Sequence, residues 1–205
     1  MCIRDRHQDA AKISIVENGI DIDFFKRVNP GEKLYDAVFV GNMSYAPNID
    51  CVVHFCNNIL PMILKSKPNF KFCIAGSSPT KEVLNLSSDN VKITGWVEDI
   101  RDSYNHSKVF VAPLQIGTGL QNKLLEAMSL ELPCVISPLA QKPLQAENGK
   151  EIIVAKTNEQ FANEILELLD NEQKANDIGL KAREFVAEKY SWKRSTGVIV
   201  RLIEK

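Results

Sequence analysis

Residues 116–128 read I-G-T-G-L-Q-N-K-L-L-E-A-M, so Gly117, Thr118 and Gly119 stand immediately ahead of a segment with helical spacing. Such a turn leaves backbone N–H groups unsatisfied at the positive end of a helix dipole, and together these make an anion site suited to a diphosphate. Lys123 falls in the first turn of that helix, where a cation opposes the dipole at a cost of about 0.3–1 kcal/mol. An anionic ligand would give it a reason to be there; a solvated surface lysine is the alternative. Glu126 lies about one turn deeper, within reach of the vicinal hydroxyls of a ribose whose phosphates fill the turn, and carboxylate recognition of a ribose diol recurs in nucleotide-binding folds. Its alternative is an exposed helix former.

The elements that must hold these groups follow from hydrophobic period. Short apolar runs at residues 36–40, 70–75, 91–94, 109–114, 133–136 and 151–154 alternate with longer segments of helical period. That alternation predicts an α/β, Rossmann-like, doubly wound parallel sheet with extra carboxyl-terminal helices. Pro47 opens a helix whose apolar stripe runs from Ile49 to Ile63, and further helices are expected at residues 80–86, 99–107, 120–130 and 157–170. The tail, residues 172–205, reads as two helices broken near Tyr190-Ser191-Trp192, with Trp192 an anchor for the last one. In such a sheet a ligand lies beyond the carboxyl ends of the strands. The loops there begin Gly41-Asn42, Gly76-Ser77, Gly95-Trp96-Val97 and Gly117-Thr118-Gly119. Taken singly, each glycine can be no more than a tight turn. Neither G-x-G-x-x-G after the first strand nor a phosphate-loop G-x-x-x-x-G-K-[ST] occurs, which disfavours a dehydrogenase or a kinase-type NTPase. Asp99 and Asp102 flank a helix start and read as cap and dipole partners, and His54 takes a polar-facing position on the first long helix.

With 205 residues, 25 Lys+Arg against 26 Asp+Glu and a net charge of −1, the chain has no broad electrostatic claim on nucleic acid or an anionic membrane. Its five cysteines are odd in number and form no C-x-x-C, so they read as reduced core residues of a cytoplasmic protein. Three histidines without helical spacing make a zinc site improbable, and no metal site is expected. No signal-peptide core or long apolar span is visible. The opening M-C-I-R-D-R lacks periodicity and reads as foreign to the native chain. Residues 1–12 are therefore taken as a non-native or disordered flank, residues 13–35 as the tail of a preceding domain, and residues 36–205 as the ligand-binding domain.

The stretch A-P-L-Q-I-G-T-G-L-Q-N-K-L-L-E-A-M-S-L-E-L-P-C-V-I-S (112–137) resembles the donor-site segment of family-4, or group 1, retaining glycosyltransferases. I-S-I-V-E-N-G-I-D-I-D-F-F (13–25) is similar to the segment with which that family enters its carboxyl-terminal domain, and V-F-V-G, I-A-G and V-K-I-T-G-W-V follow in the same order. The resemblance implies the carboxyl-terminal half of a two-domain GT-B fold, binding a nucleoside-diphosphate sugar as substrate with no cofactor. It implies ribose binding by Glu126, contact of Gly117, Thr118, Gly119 and Leu120 with the donor, and Gly95, Trp96 and Val97 against the nucleobase. Gly41 and Asn42 would border the donor at the first strand, with Thr118 and Lys123 nearest the reacting centre. Transfer would be retaining and metal-independent, to a glycan or lipid-linked acceptor held by a missing amino-terminal domain, the full-length protein associating peripherally with a membrane. Two departures stand out: Thr118 occupies the place of the family's first glutamate, and Asn42 and Pro47 stand where a basic pair is usual. Lys123 is inferred to replace that charge. Rival readings are a sugar-nucleotide epimerase of the same fold and a non-catalytic nucleotide-binding or partner-binding domain.

Overall fold

Each of the six apolar runs forms a strand, and all pair in parallel. The computed structural model describes residues 16–27, 31–117 and 119–204, so the expectations for residues 1–12, for Cys2 and for Thr118 lie outside the described residues. The strands are β1 (Tyr35–Val40), β2 (Phe72–Ala75), β3 (Val91–Gly95), β4 (Ser107–Ala112), β5 (Cys134–Ile136) and β6 (Ile153–Val154), in the order β3-β2-β1-β4-β5-β6. The chain reverses its direction of travel across the sheet between β1 and β4, where Ala37 sits opposite both Phe72 and Val109. This is the doubly wound arrangement, and its switch point lies at the carboxyl ends of β1 and β4. Ala37, Val38 and Phe39 are wholly buried, as a central strand covered on both faces requires.

Helices α1 (Ala46–His54), α2 (Leu60–Ser66), α3 (Lys81–Leu84), α4 (Ile100–Asn105), α5 (Asn122–Ser129), α6 (Pro138–Leu144), α7 (Asn158–Asp170), α8 (Glu172–Tyr190) and α9 (Trp192–Ile203) complete the described chain. The single helix expected after Pro47 is interrupted by a π turn at Phe55–Ile59. Pro61 follows at once. It has no N–H to offer the carbonyl four residues back and crowds it, which disfavours an unbroken α-helix there. Thr80, Asp99 and Thr157 cap α3, α4 and α7 through their side chains. β4 ends before Pro113, short of the expected residue 114.

α6 falls in a stretch, S-P-L-A-Q-K-P-L, to which the hydrophobic period assigns no element. Ser137 Oγ accepts the Ala140 N–H and Pro138 takes a first-turn position where a missing N–H costs nothing, so the segment can be helical after all.

Residues 16–27 dock onto the far end of the chain. Ile20 donates its N–H to the Tyr190 carbonyl at 2.7 Å and accepts from Trp192 N–H at 3.3 Å. Gly19 lies so close under Trp192 that a Cβ would sit 2.8 Å from the Trp192 Cα. The Arg183 guanidinium donates to the carbonyls of Phe25 and Ile22 at 3.2 and 3.3 Å and also to that of Ser129, tying this segment to α5 and α8. Cys51, Cys56, Cys73 and Cys134 are free, and burial raises every one of these thiols, Cys56 and Cys73 to about 12.

α8 packs against α5, and at Gly179 it meets the backbone just after α5, where an added Cβ would stand 2.2 Å from the Glu131 carbonyl oxygen. Alanine at a helix interior ordinarily gains up to about 1 kcal/mol over glycine. Here overpacking should win: Gly179→Ala is expected to lower stability by about 1–3 kcal/mol, read as a reduced urea midpoint.

Candidate functional site

Glycines close the carboxyl ends of β1, β2 and β3 against one another. Gly41 donates to the Ala75 carbonyl at 3.0 Å and Gly76 to the Gly95 carbonyl at 3.1 Å. Gly76 has φ +133°, and a Cβ on it would fall 1.9 Å from the Gly41 oxygen, so no other residue fits. Gly41 is as tightly enclosed: its Cβ would meet Asn48 Nδ2 at 2.6 Å and Lys123 Nζ at 3.2 Å.

Lys123 therefore reaches from α5 across the switch point to the head of β1. Its ammonium donates to Asn48 Oδ1 and lies 4.6 Å from the centre of the Phe39 ring. Asn48, only 4% exposed, passes the connection on by donating Nδ2 to the Asn42 carbonyl at 2.8 Å. The Asn42 side chain turns back to accept from Ser44 N–H and Oγ–H at 2.9 and 2.8 Å. No carboxylate among the described residues forms an ion pair with Lys123. Burial lowers it to about 8, against the opposing pull of Cys51 and Glu126.

Glu126 points into the same cleft. Its Oε2 accepts from the Tyr104 hydroxyl at 2.7 Å, and that hydroxyl also lies 3.2 Å from the Lys123 carbonyl. Burial raises the Glu126 carboxyl while the Tyr104 hydrogen bond and the Lys123 charge hold it down. Tyr104 is 1% exposed, and burial followed by the neighbouring Glu126 charge pushes its hydroxyl well above the usual value, so it stays a donor. Glu126 is half-buried, and its Oε1 accepts no hydrogen bond from the described residues.

Between β4 and α5, two glycines take backbone conformations that favour glycine. Gly117 has φ +118° and Gly119 φ +82°, and nothing lies within 4 Å of a Cβ built on Gly119. Gln121 caps α5 with its backbone only, so the first-turn amides of Asn122 and Lys123 lack a protein partner among the described residues. Leu120 is half-buried against the core. At β3, Gly95 has φ +67° with open space beside it, Val97 is half-buried, and Trp96 is 73% exposed, presenting an indole face to solvent.

Gly41, Lys123 and Glu126 thus meet at the switch point, with the turn of Gly117 and Gly119 packed beside Pro47 at the mouth of α1. Asn42 sits at the rim and works through its backbone oxygen. Asn48 and Tyr104 were not singled out from the sequence, since Lys123–Asn48 and Tyr104–Glu126 join positions 75 and 22 residues apart. No group of His, Cys, Asp or Glu among the described residues could hold a metal ion, and no described helix is long and apolar enough to cross a membrane. A cavity of about 360 Å³ lies at the opposite, amino edge of the sheet between Lys33, Lys108 and Leu132, away from every glycine turn just described.

A family model described as glycosyl transferases group 1 matches residues 35–171. A UDP-Gal:alpha-D-GlcNAc-diphosphoundecaprenol alpha-1,3-galactosyltransferase from Escherichia coli is 27% identical over 191 residues, covering 83% of this chain and 49% of that protein. The chain spans about half the length of the curated relatives it matches, between 43% and 53% for four of them. The C-terminal domain of the glycosyl transferase group 1 family protein LpcC from Francisella tularensis is similar at a TM-score of 0.70 and 14% identity, over 85% of this chain and 100% of that one. Anabaena Alr3699/HepE in complex with UDP gives a TM-score of 0.76 at 16% identity, over 93% of this chain and 57% of that one. At these identities the likeness shows the fold, which is the Rossmann-like one the strand order describes.

The lowered Lys123 titration has a sign that can be checked. Between pH 8 and the ordinary lysine range the unfolded chain holds a proton that the folded site has released, so stability rises with pH across that window. The difference in urea stability between the wild type and Lys123→Met should move in favour of the wild type from pH 8 upward, and below pH 8 it should be flat.

Proposed function

Because the chain belongs to the glycosyl transferases of group 1, we propose that it carries the donor-binding half of a family-4 retaining enzyme. That enzyme moves a sugar from a nucleoside diphosphate without a metal ion. The observation that supports this most is the placement of Glu126 one turn behind first-turn amides of α5 that have no partner among the described residues, with the Lys123 ammonium beside the end of β1. A diphosphate has two kinds of partner there, oriented backbone N–H groups and one full positive charge, and the ribose joined to it reaches Glu126. The nucleobase then extends toward β3, where Gly95 leaves space and Trp96 offers a stacking face.

The same groups serve the chemical step. As the bond from the anomeric carbon to the diphosphate oxygen breaks, negative charge grows on the leaving phosphate, and amides and an ammonium already aimed at it stabilise that charge without reorganisation. Lys123 is held over Phe39 with no carboxylate ion pair among the described residues, so its charge is available to the ligand. Anion binding would in turn raise its pKa and keep it protonated. Thr118 takes the position where the family resemblance calls for a glutamate facing the donor sugar. The acceptor, a glycan or a lipid-linked glycan, is held by a further domain of a longer protein in the cytoplasm, one that associates peripherally with a membrane; this half alone binds without turning over. UDP is the first nucleotide to try, since the Escherichia coli relative is named for UDP-Gal and the Anabaena structure holds UDP.

Calorimetric titration with UDP and GDP tests the reading. One of the two should give saturable heat, and Glu126→Ala should weaken it about ten- to hundredfold, the loss expected for a hydrogen-bonded charged acceptor. Absence of heat from both nucleotides, or unchanged affinity in the variant, would overturn it.

A further inference from the structure

Among the described residues, Gln115, Ile116, Gly117, Gly119 and Leu120 take part in no backbone–backbone hydrogen bond, and side chains brace the chain on either side of the glycines. Ser137 Oγ donates to the Leu114 carbonyl at 2.7 Å just before it, and Gln121 Nε2 reaches back to the Gly119 carbonyl at 3.3 Å after it. A further tether among the described residues is His54. Gln115 Nε2 donates to His54 Nδ1 at 2.6 Å, and His54 Nε2 lies 2.8 Å from Asn158 Oδ1 at the start of α7. Asn58 Nδ2 is also directed at Nδ1, at 3.2 Å. With two amide donors on Nδ1, the imidazole proton belongs on Nε2, where Asn158 accepts it.

His54 thus joins three separate parts of the fold: α1, the amino end of α7 and the residue two before Gly117. α1 and α7 are fixed by their packing on the sheet, whereas the turn contains two glycines with positive φ and has little of its own to hold it. Amides can favour an anion only where their direction is set before the ligand arrives; otherwise ordering the turn consumes part of the binding free energy. We propose that His54, acting through Gln115, is a positioning residue that holds Gly117 and the chain leading into α5 where an anion can be met. The proposal rests on the donor-binding reading and adds to it a residue that touches no ligand. His54 was read from the sequence only as a polar-facing helix position.

The test is UDP titration of the wild type, His54→Ala, Gln115→Ala, the double variant and His54→Asn, each paired with urea unfolding. Either alanine variant should raise the UDP Kd about three- to tenfold, and the double variant should lose no more than the worse single one. Asparagine places an acceptor near the former Nδ1 position but cannot reach Asn158. His54→Asn should therefore recover most of the affinity while keeping the stability loss of His54→Ala, a separation that a purely structural role would not give. Equal UDP affinity in His54→Ala and the wild type, additive losses in the double variant, or failure of asparagine to rescue would each overturn the proposal. Should His54→Ala not fold, the exposed Gln115→Ala decides alone. A wild type that binds neither UDP nor GDP defeats the donor reading itself and the proposal with it.

Discussion

A half-buried ammonium with no ion pair among the described residues shapes the cleft. Lys123 is held over Phe39 at the head of the central strand, and its side-chain hydrogen bond among the described residues goes to an uncharged amide oxygen, that of Asn48. Removing a cation from water without a counter-charge is costly, and the depressed titration of this lysine is that cost expressed in protons. The surroundings are consistent with the burden. Gly41 has no side chain because the ammonium and Asn48 occupy its space, and Gly76 has none because the backbone of Gly41 occupies its own.

From this point the polar side chains of the cleft form one connected series. Asn42 holds Asn48, Asn48 holds Lys123, the Lys123 backbone carbonyl meets the Tyr104 hydroxyl, and Tyr104 orients Glu126. The members come from three stretches, the β1–α1 connection with α1, then α4, then α5, and the parallel strand order brings these within hydrogen-bond range. The two groups at the exposed end of the series, the ammonium and Glu126 Oε1, are those left with capacity for an external partner. The hydrogen bonds between the other members fix the direction of both.

The fold was legible in the sequence because its signals are local. Alternating apolar runs and helical stripes gave the strands and most helices, and threonine or aspartate before a helix gave its start. The helices depart from the hydrophobic period where proline carries two meanings: Pro61 follows the interruption of a helix with a strong apolar stripe, and Pro138 begins one that buries only Ala140 and Leu144. In the site, Lys123 and Glu126 stood out because they follow a glycine turn within one helix. Asn48 and Tyr104 did not, because an asparagine after Pro47 looks like a helix opener and a tyrosine on an apolar helix face looks like core. Each is also that, and its second role depends on a partner far away in the chain.

The pairing of Ile20 with the Tyr190–Trp192 segment has a mechanical consequence. The strand bringing the chain into the domain and the one feeding α9 are hydrogen-bonded side by side, with Gly19 pressed beneath the Trp192 ring and Arg183 gripping the backbone on the far side. A pull on either is loaded onto the other and, through Arg183, onto α5. Tension along the backbone is in this way delivered to the helix that bears Lys123 and Glu126, and the corner remote from the cleft becomes its lever.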